Sequence, residues 1–237
     1  MKKRFIALAL IFILALSFAS CDISSGSQDV GEISSKIIAM YNRSTPTKSV
    51  TTMKSESAGV LTIDEITITS GKIDGNLDAA TYKAVQQRFN TVSSGSNAMI
   101  IDPVGQTPVE KEYIKGMGVR IKGGTWDPTA DSFAPTDGSL GLNVTDSTIS
   151  NVKEEGKTIS FTVVKANTQA VFGMAINADV SVVIKHDGAS IVAISLSYVE
   201  PAVESADPMN EPDMPETQFS IEIKYSYDIE KINIGVR

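Results

Sequence analysis

The sequence predicts an α+β fold that is mainly antiparallel β-sheet. Three observations lead to this prediction. Apolar residues recur with helical spacing over residues 30–41, near the start of the chain. From Val50 onward the apolar period is two, which is typical of half-buried strands. Two turn signals, Glu155-Gly156 and Asp187-Gly188, separate alternating segments, and such signals predict hairpins, which join antiparallel strands.

The individual elements are predicted in order along the chain. The helix at residues 30–41 is capped by Asp29 or Ser27, and Pro46 enforces its end. The segment ATYKAVQQRFN suits a strand or a helix, and we assign it as a strand because strands and Gly-rich turns flank it. A short helix is predicted at residues 167–174, capped by Asn167, and a turn-rich loop at 126–141. The strand at 59–73 is predicted to change register at 64–65. Strands are predicted at residues 59–73, 80–90, 112–124, 218–228 and 230–236, and hairpins at 147–164 and 179–199.

The alternation is most regular in residues 218–228. Successive side chains of a strand point to opposite faces of its sheet. One face of this segment is therefore predicted to lie in the core and the other to meet solvent. The first face holds Phe219, Ile221, Ile223, Tyr225 and Tyr227, and the second holds Ser220, Glu222, Lys224 and Ser226.

The predicted sheet is much wider than the predicted helix. Eight or more strands at about 4.8 Å spacing span nearly 40 Å, whereas an amphipathic helix is about 10 Å across. One helix therefore cannot cover the apolar face. The sheet must curl around the helix, fold into a sandwich, or leave an apolar hollow. We expect an apolar cavity between the helix and the concave sheet, and such a cavity would be a natural binding site for a hydrophobic ligand.

The first 20 residues predict export. Three basic residues at positions 2–4 precede an apolar stretch at residues 5–16, which is the layout of a secretory signal peptide. That stretch is shorter than the roughly 20 residues that a bilayer-spanning helix needs. Cys21, the only cysteine, follows directly. Cleavage after Ala19 would leave Cys21 as a free thiol, whereas cleavage before Cys21 would make it the mature N-terminus.

The residues FASC resemble the lipobox of bacterial lipoproteins. In that class the cysteine sulfur receives a diacylglyceryl group, with acyl chains such as palmitate, and the cysteine becomes the mature N-terminus. Ala19, Ser20 and Cys21 match the pattern, while Phe18 stands where leucine is usual. Two acyl chains hold a protein stably in a membrane, at about 0.8 kcal/mol per buried methylene. The resemblance therefore implies a membrane anchor at Cys21.

The resemblance also implies a division of the chain and a location. Residues 1–20 would be the lipoprotein signal peptide, and residues 21–28 the lipidated cysteine with a flexible Gly/Ser-rich tether. Residues 29–237 are predicted to form a single β-rich domain. The implied location is the outer face of the cell membrane, or the periplasmic side of an envelope membrane. Asp22 resembles the residue that retains lipoproteins in the inner membrane of enteric bacteria.

The composition excludes several classes of function. The first 20 residues hold three of the 21 basic residues and no acidic residue, so residues 21–237 carry a net charge of −10. Binding to nucleic acid and electrostatic binding to anionic lipids both need a basic surface. The sequence contains no P-loop, H-E-x-x-H or G-x-S-x-G motif. We therefore predict that the protein is not an enzyme and has no cofactor and no metal site.

Several short motifs have simpler explanations than a catalytic or metal site. Residues 74–79, DGNLDA, begin like a calcium loop, but Ala79 and Val85 stand where an EF-hand needs Gly and Glu. A polar turn is the better interpretation. Ser150 and Lys153 form an S-x-x-K in a predicted strand without the other motifs of penicillin-binding enzymes. His186, the only histidine, borders a hairpin turn and is predicted to be a solvated turn residue.

Two further features concern packing and a loop. Trp126, the only tryptophan, lies at a strand end and is predicted to pack in the core or at its rim. Residues 200–216 hold six acidic residues, four prolines and no basic residue, which is typical of a solvated loop. An alternative is a flap over the hollow, with Met209 and Met214 as adaptable apolar contacts.

The order of the predicted elements resembles that of the LolA/LppX-like class of lipoproteins. The shared order is an N-terminal helix, consecutive antiparallel strands, a short helix, and a final run of strands over residues 29–237. That class has a curved sheet or half-barrel with a helix packed on its concave face, and several members carry lipids or lipoproteins. The resemblance rests on element order and not on a motif, so it implies no ligand-binding residue.

These observations lead to a functional prediction with one alternative. The protein is expected to be a membrane-anchored extracytoplasmic lipoprotein that binds or carries a hydrophobic or amphipathic ligand such as a lipid. Its expected partners are the membrane, through the lipid on Cys21, and that ligand, but not nucleic acid. The alternative is a structural or adhesion module of the cell envelope with a fully packed core.

Overall fold

The structure, a computed structural model, describes residues 29–43, 45–73, 77–90, 99–100, 107–130, 141–205, 213–228 and 230–234. No helix in this part of the chain combines the length and hydropathy that crossing a bilayer requires. The elements are α1 (Val30–Arg43), β1 (Lys48–Ser57), β2 (Val60–Ile73), β3 (Leu77–Asn90), β4 (Met99–Ile100), β5 (Val109–Ile114), β6 (Gly118–Ile121), β7 (Ser150–Glu155), β8 (Thr158–Val163), a 3₁₀ turn (Lys165–Asn167), α2 (Thr168–Phe172), β9 (Val180–His186), β10 (Ile191–Glu200), β11 (Thr217–Ser226) and β12 (Glu230–Lys231).

Ten strands form one open antiparallel sheet in the order β6-β5-β3-β2-β1-β11-β10-β9-β8-β7. Within the described ranges the end strands β6 and β7 do not pair with each other, so the sheet does not close. The short strands β4 and β12 pair with β3 and β2, and β12 runs parallel to its partner. The prediction of a mainly antiparallel sheet with few helices is confirmed.

Helix α1 packs on one face of the sheet, called the helix face below. Asp29 caps the helix as predicted, since its Oδ1 accepts a hydrogen bond from the Gly31 N–H at 2.9 Å. Ile33, Ile37 and Met40 lie on one side of α1 at helical spacing and are buried. They form the main cluster together with residues of β8 to β11, the 141–149 loop and α2, among them Ile159, Phe161, Val182, Ile184, Ile194, Leu196, Ile223, Leu142 and Phe172.

Side chains fill the space between α1 and β8–β11. Ile37 of the helix and Ile184 and Ile194 of the sheet are fully buried in this one cluster. The width of the sheet leads to the prediction of an apolar cavity between the helix and the concave sheet. Over these four strands the described residues pack against the helix directly instead.

The helix face extends beyond the main cluster. A single row of cross-strand partners runs over six strands, and its exposed fraction rises from 0% at the first residue to 8% at the fourth and 49% at the last. Coverage of this face therefore declines toward β5. The row consists of Ile194, Ile223, Thr51, Ile66, Ala84 and Val109.

A second cluster lies on the opposite face of the sheet. Ala79 is five positions from Ala84 along β3, so the alternation of side chains points it away from the helix face. Ala79 packs with Ile73, Ile114 and two residues that follow β12, Ile232 and Ile234. The sequence predicts a strand over 230–236, but among the described residues only Glu230–Lys231 pair as a strand. Ile232 and Ile234, which follow the paired residues, instead pack their side chains in this second cluster.

Residues 112–124, predicted as one strand, form part of a hairpin. Strands β5 and β6 are joined by a turn in which Gly116 has φ +83°. Gly118 has φ +92°, and a Cβ there would lie 1.8 Å from the carbonyl oxygen of Asp127. Only glycine lets Asp127 approach closely enough to bridge Val119. Because the residues on both sides of the turn alternate, the sequence pattern predicts one strand where the structure has two.

Strand β2 keeps one register over its whole length, so the predicted change at residues 64–65 does not occur. Its pairing with β1 and β3 is continuous. Leu61 and Ile63 therefore face opposite to Ile66 and Ile68. The shift in the apolar pattern reflects a strand that presents apolar side chains to both faces of the sheet.

The hairpins of the second half agree with the sequence. Strands β7–β8 and β9–β10 turn within one or two residues of Glu155-Gly156 and Asp187-Gly188. The strand predicted at 80–90 is confirmed as β3. Asn167 precedes α2 as predicted, but its side chain does not cap the helix. Its Nδ2 donates instead to the carbonyl oxygen of Thr148 at 3.3 Å.

Candidate functional site

Several residue groups from the sequence analysis lie partly or wholly outside the described residues, among them the loop at 126–141 and the acidic segment at 200–216. Cys21 lies outside them, so its lipidation stays a prediction. Of the calcium-like segment at 74–79, residues 74–76 also lie outside. Asp78 is at the start of β3, where Lys115 Nζ lies 3.4 Å from its carboxylate. The described residues contain no group of three or more His, Cys, Asp or Glu side chains placed to hold a metal ion.

His186 is buried, so the prediction that it is a solvated turn residue is wrong. It is the last residue of β9 and is 5% exposed, on the helix face beneath α1. Its Nε2 lies 3.6 Å from Oε1 of Glu154, and the same oxygen accepts a hydrogen bond from Lys36 Nζ of α1. Neither ring nitrogen of His186 has a hydrogen-bond partner among the described residues. Lys36, Glu154 and His186 therefore connect α1 with β7 and β9, and they place an ion pair beside a buried histidine.

Trp126 packs as the sequence predicts. It lies against the second cluster, and the guanidinium carbon of Arg120 is 4.3 Å from its ring centroid. Arg120 is itself buried, and its Nε donates to the buried carboxylate of Glu112 at 2.6 Å. The two charges face each other across the β5–β6 pair. This ion pair and its aromatic neighbour form a structural unit on the face opposite to α1.

The remaining predicted groups lie at the surface. Ser150 and Lys153 are exposed on the edge strand β7, and the Ser150 hydroxyl donates to the Thr162 carbonyl oxygen at 3.4 Å. The acidic segment at 200–216 continues the β10–β11 hairpin through a bridge between Val203 and Met214. Met214 is exposed, and Met209 lies outside the described residues.

A cavity of about 270 Å³ lies at the C-terminal end of α1 and is called the tyrosine pocket below. Three of its residues are tyrosines, from two elements that are far apart in sequence. Its walls combine aromatic rings and aliphatic side chains with hydroxyl and amide groups. The lining residues are Tyr41, Asn42, Thr45, Pro46, Ile191, Tyr225 and Tyr227.

Local structure explains why the tyrosines converge. Tyr41 is in the last turn of α1, on the side that packs on the main cluster. Tyr225 is on the helix face at the end of β11, and the chain then places Tyr227 two positions further along. The β9–β10 pairing is irregular between Ile191 and Ala193. The Tyr227 hydroxyl donates to the carbonyl oxygen of Ile191 at 2.7 Å, which ties the end of β11 to the start of β10.

The electrostatics of the tyrosine pocket favour neutral phenols. Burial raises the pKa of Tyr225, and the neighbouring hydroxyls of Tyr41 and Tyr227 raise it further. Burial also raises the pKa of Tyr41. Both groups therefore stay protonated at neutral pH. None of the described residues that line the pocket is Asp, Glu, Lys or Arg, so these residues contribute no formal charge.

A row of cross-strand partners connects the tyrosine pocket with the part of the helix face that lies beyond the main cluster. Tyr225 pairs with Ser49 of β1, which pairs with Ile68 of β2, which pairs with Tyr82 of β3. Tyr82 is buried but belongs to neither cluster of described residues. Lys111 of β5 follows in the same row, and its Nζ lies 4.8 Å from the centroid of the Tyr82 ring.

The described parts of the acidic segment, residues 200–205 and 213–216, begin at the end of β10 that is far from the tyrosine pocket. It leaves the sheet after Glu200, at the far end of β10, whereas Ile191 at the start of β10 lines the pocket. Nine residues of extended chain separate the two ends by about 30 Å. The sequence pattern predicts Tyr225 and Tyr227 on the inward face of one strand; Tyr225 lies on the helix face of β11, and Tyr227 lines the pocket from just beyond the end of that strand. The pattern contained no signal that the end of α1 would meet them there.

Comparison with known proteins identifies no family. No family model matches the chain, and no curated protein matches it. A solved structure of a LolA superfamily protein from Nitrosomonas europaea is similar over 88% of this chain and 96% of that chain, at 7% sequence identity and a TM-score of 0.24. A TM-score of this size does not establish a common fold. The functional argument therefore rests on the residues of this chain.

Proposed function

We propose that this protein is an exported lipoprotein, anchored to a membrane through Cys21, that binds a hydrophobic or amphipathic ligand in the tyrosine pocket. The observation that carries the binding function is the convergence of Tyr41, Tyr225 and Tyr227 on one cavity. Ligand sites are typically concave and mostly apolar, with a few polar groups that orient the ligand. Tyrosine supplies both properties, because its ring is apolar and its hydroxyl forms hydrogen bonds.

The open sheet supports the same proposal. Burial of the helix face declines from the main cluster toward β5, and the tyrosine pocket lies beside this less covered half. We include in the proposal a LolA-like half-barrel with α1 on its concave face. In that arrangement the pocket would hold one end of a ligand, and the row from Tyr225 through Ile68 to Tyr82 would contact the rest.

A binding experiment tests the ligand function. Full-length protein extracted in a maltoside detergent is titrated with fatty acids and lysophospholipids while its thermal unfolding is followed. Binding stabilises the native state by RT ln(1 + [L]/Kd), or about 2.7 kcal/mol at 100 times Kd. For a chain of this size the midpoint should rise by about 5–10 °C. Mass spectrometry of organic extracts of protein from its native host should identify the bound molecule.

The Tyr225→Ala variant is expected to lose this stabilisation by ligand, because it removes a half-buried tyrosine that lines the pocket. Tyr198→Ala is the matched control. Tyr198 is also a half-buried tyrosine of the helix face, but it stacks on Phe219 at 4.8 Å between centroids and does not line the pocket. Equal ligand-induced shifts in the two variants would exclude the tyrosine pocket as the site.

Replacing Cys21 by alanine is expected to release the protein from the membrane. The lipid anchor requires the cysteine sulfur, and the described fold begins eight residues later, at Asp29. The protein should therefore move to the soluble fraction with an unchanged unfolding midpoint. Fractionation followed by immunoblotting measures the release. Retention of the variant in the membrane would contradict the anchor.

A second candidate function is an interaction module of the cell envelope. The filled main cluster favours it, since Ile33, Ile37 and Met40 of the helix are buried in one apolar cluster with residues of β8–β11. The exposed Val203 and Met214 on the acidic segment would then contact a protein partner. This candidate replaces the first if no lipid in the panel shifts the midpoint and the organic extract contains no stoichiometric ligand.

A further inference from the structure

The lining of the tyrosine pocket restricts the chemistry of its ligand. Among the described residues, the lining of the cavity consists of three phenols, one amide, one hydroxyl, one proline and one isoleucine. A carboxylate or phosphate would find no cationic side chain in this lining. A primary ammonium would find no carboxylate to accept its three hydrogen bonds. An uncharged group, or a cation that makes no hydrogen bonds, suits such a lining best.

The backbone around the pocket favours a positive charge. Tyr41 and Asn42 belong to the last turn of α1, which ends at Arg43. The last four carbonyl groups of a helix have no partner within the helix and carry about half a negative charge. Arg43 also lies in this turn, but it is exposed to solvent and does not line the cavity. The helix end therefore adds partial negative charge beside a neutral aromatic wall.

The aromatic rings of the pocket also favour a cation. Rings attract a cation within about 6 Å of their centroids, and the attraction grows when the site is shielded from water. Burial keeps Tyr41 and Tyr225 as neutral phenols, as their raised pKa values indicate. Residues 21–237 carry a net charge of −10, which raises the local concentration of cations.

We propose that the tyrosine pocket binds a quaternary ammonium group, such as choline or the choline headgroup of a phospholipid. Such a group has a delocalised positive charge and an apolar surface, and it donates no conventional hydrogen bond. It therefore matches rings and a helix end without a counter-ion. This inference rests on the proposed function, since it names the ligand class of the same pocket.

The test compares choline with 3,3-dimethylbutan-1-ol, in which a neutral tert-butyl group replaces the trimethylammonium group. Full-length protein in maltoside detergent, which contains no quaternary ammonium, is titrated calorimetrically with each compound. Choline is expected to bind at least about tenfold more tightly than the neutral isostere. Equal affinity would overturn the charge-based inference but would leave the proposed function intact.

Substitutions of the pocket tyrosines test whether choline binds in the tyrosine pocket. Tyr225→Leu is expected to weaken choline binding at least about tenfold, and Tyr41→Leu provides a second test from the other wall, should the first variant unfold. Tyr198→Leu, outside the pocket, should retain the affinity of the wild type. Choline affinity unchanged in both pocket variants would overturn the assignment to this pocket.

Two further measurements complete the test. One distinguishes a lipid headgroup from a free solute as the ligand, and the other distinguishes failure of this inference from failure of the proposed function. A larger shift of the unfolding midpoint with phosphatidylcholine vesicles than with phosphatidylglycerol vesicles would indicate a lipid headgroup, whereas a shift with choline alone would indicate a free solute. Both results support the inference. Binding of fatty acids or lysophosphatidic acid without any binding of choline would refute the inference alone. No binding of any of these compounds would refute the proposed function as well.

Discussion

Replacing Ile223 by aspartate is expected to destabilise the fold by about 4 kcal/mol or more. Ile223 is 2% exposed and lies in the main cluster under α1. The substitution removes a buried isoleucine, whose burial contributes about 1.5–3 kcal/mol. It also places a carboxyl group where it must either carry an unpaired charge or take up a proton. A loss of this size is a large part of the 5–15 kcal/mol that typically stabilises a domain.

The neighbouring residue provides the control. Lys224 precedes the next inward position of β11, and its side chain is 63% exposed. Lys224→Asp introduces the same carboxylate one position along the same strand, and it changes the net charge by −2, whereas Ile223→Asp changes it by −1. Surface substitutions usually alter stability by less than about 0.5 kcal/mol. Chemical denaturation measures both variants, and similar midpoints would contradict the assignment of the two faces of β11.

Removing the carboxylate of Glu112 is expected to cost about 3–5 kcal/mol. Glu112 and Arg120 are both buried on adjacent strands, and their side chains are joined by a hydrogen bond of 2.6 Å. Breaking a buried ion pair leaves the remaining charge without compensation in a medium of low dielectric constant. Glu112→Ala leaves the Arg120 guanidinium buried beside Trp126 without this carboxylate. Urea denaturation of the variant gives the change in unfolding free energy.

The same hairpin contains a matched exposed pair. Glu110 accepts a hydrogen bond from Lys122 at 2.6 Å, two positions along from the buried pair. Solvent screens this exposed pair, so Glu110→Ala should leave the denaturation midpoint nearly unchanged. The double variant Glu112→Leu/Arg120→Met removes both buried charges and should recover most of the lost stability. A double variant as unstable as Glu112→Ala would contradict the ion-pair explanation.

The sequence alone determined the local elements where period and turn chemistry agree. The 30–41 pattern and Asp29 predicted α1 and its cap, because a helical stripe and an N-cap are both local features. Asp187-Gly188 predicted the β9–β10 hairpin for the same reason, since the turn depends on a few neighbouring residues. Alternation placed Ile223 inward and Lys224 outward. The β5–β6 turn was missed because Gly116 interrupts a pattern that resumes on the far side.

Only the tertiary structure decided what the sheet brings together. The pairing of β1 with β11 joins residues about 170 positions apart, and nothing in either strand specifies that partner. That pairing aligns Tyr225 with Ser49, and the packing of α1 then places Tyr41 beside Tyr225 to form the tyrosine pocket. His186 is buried rather than solvated because α1 and β7 cover the end of β9. Burial depends on which distant elements pack over a residue, and periodicity describes only the residue's own strand or helix.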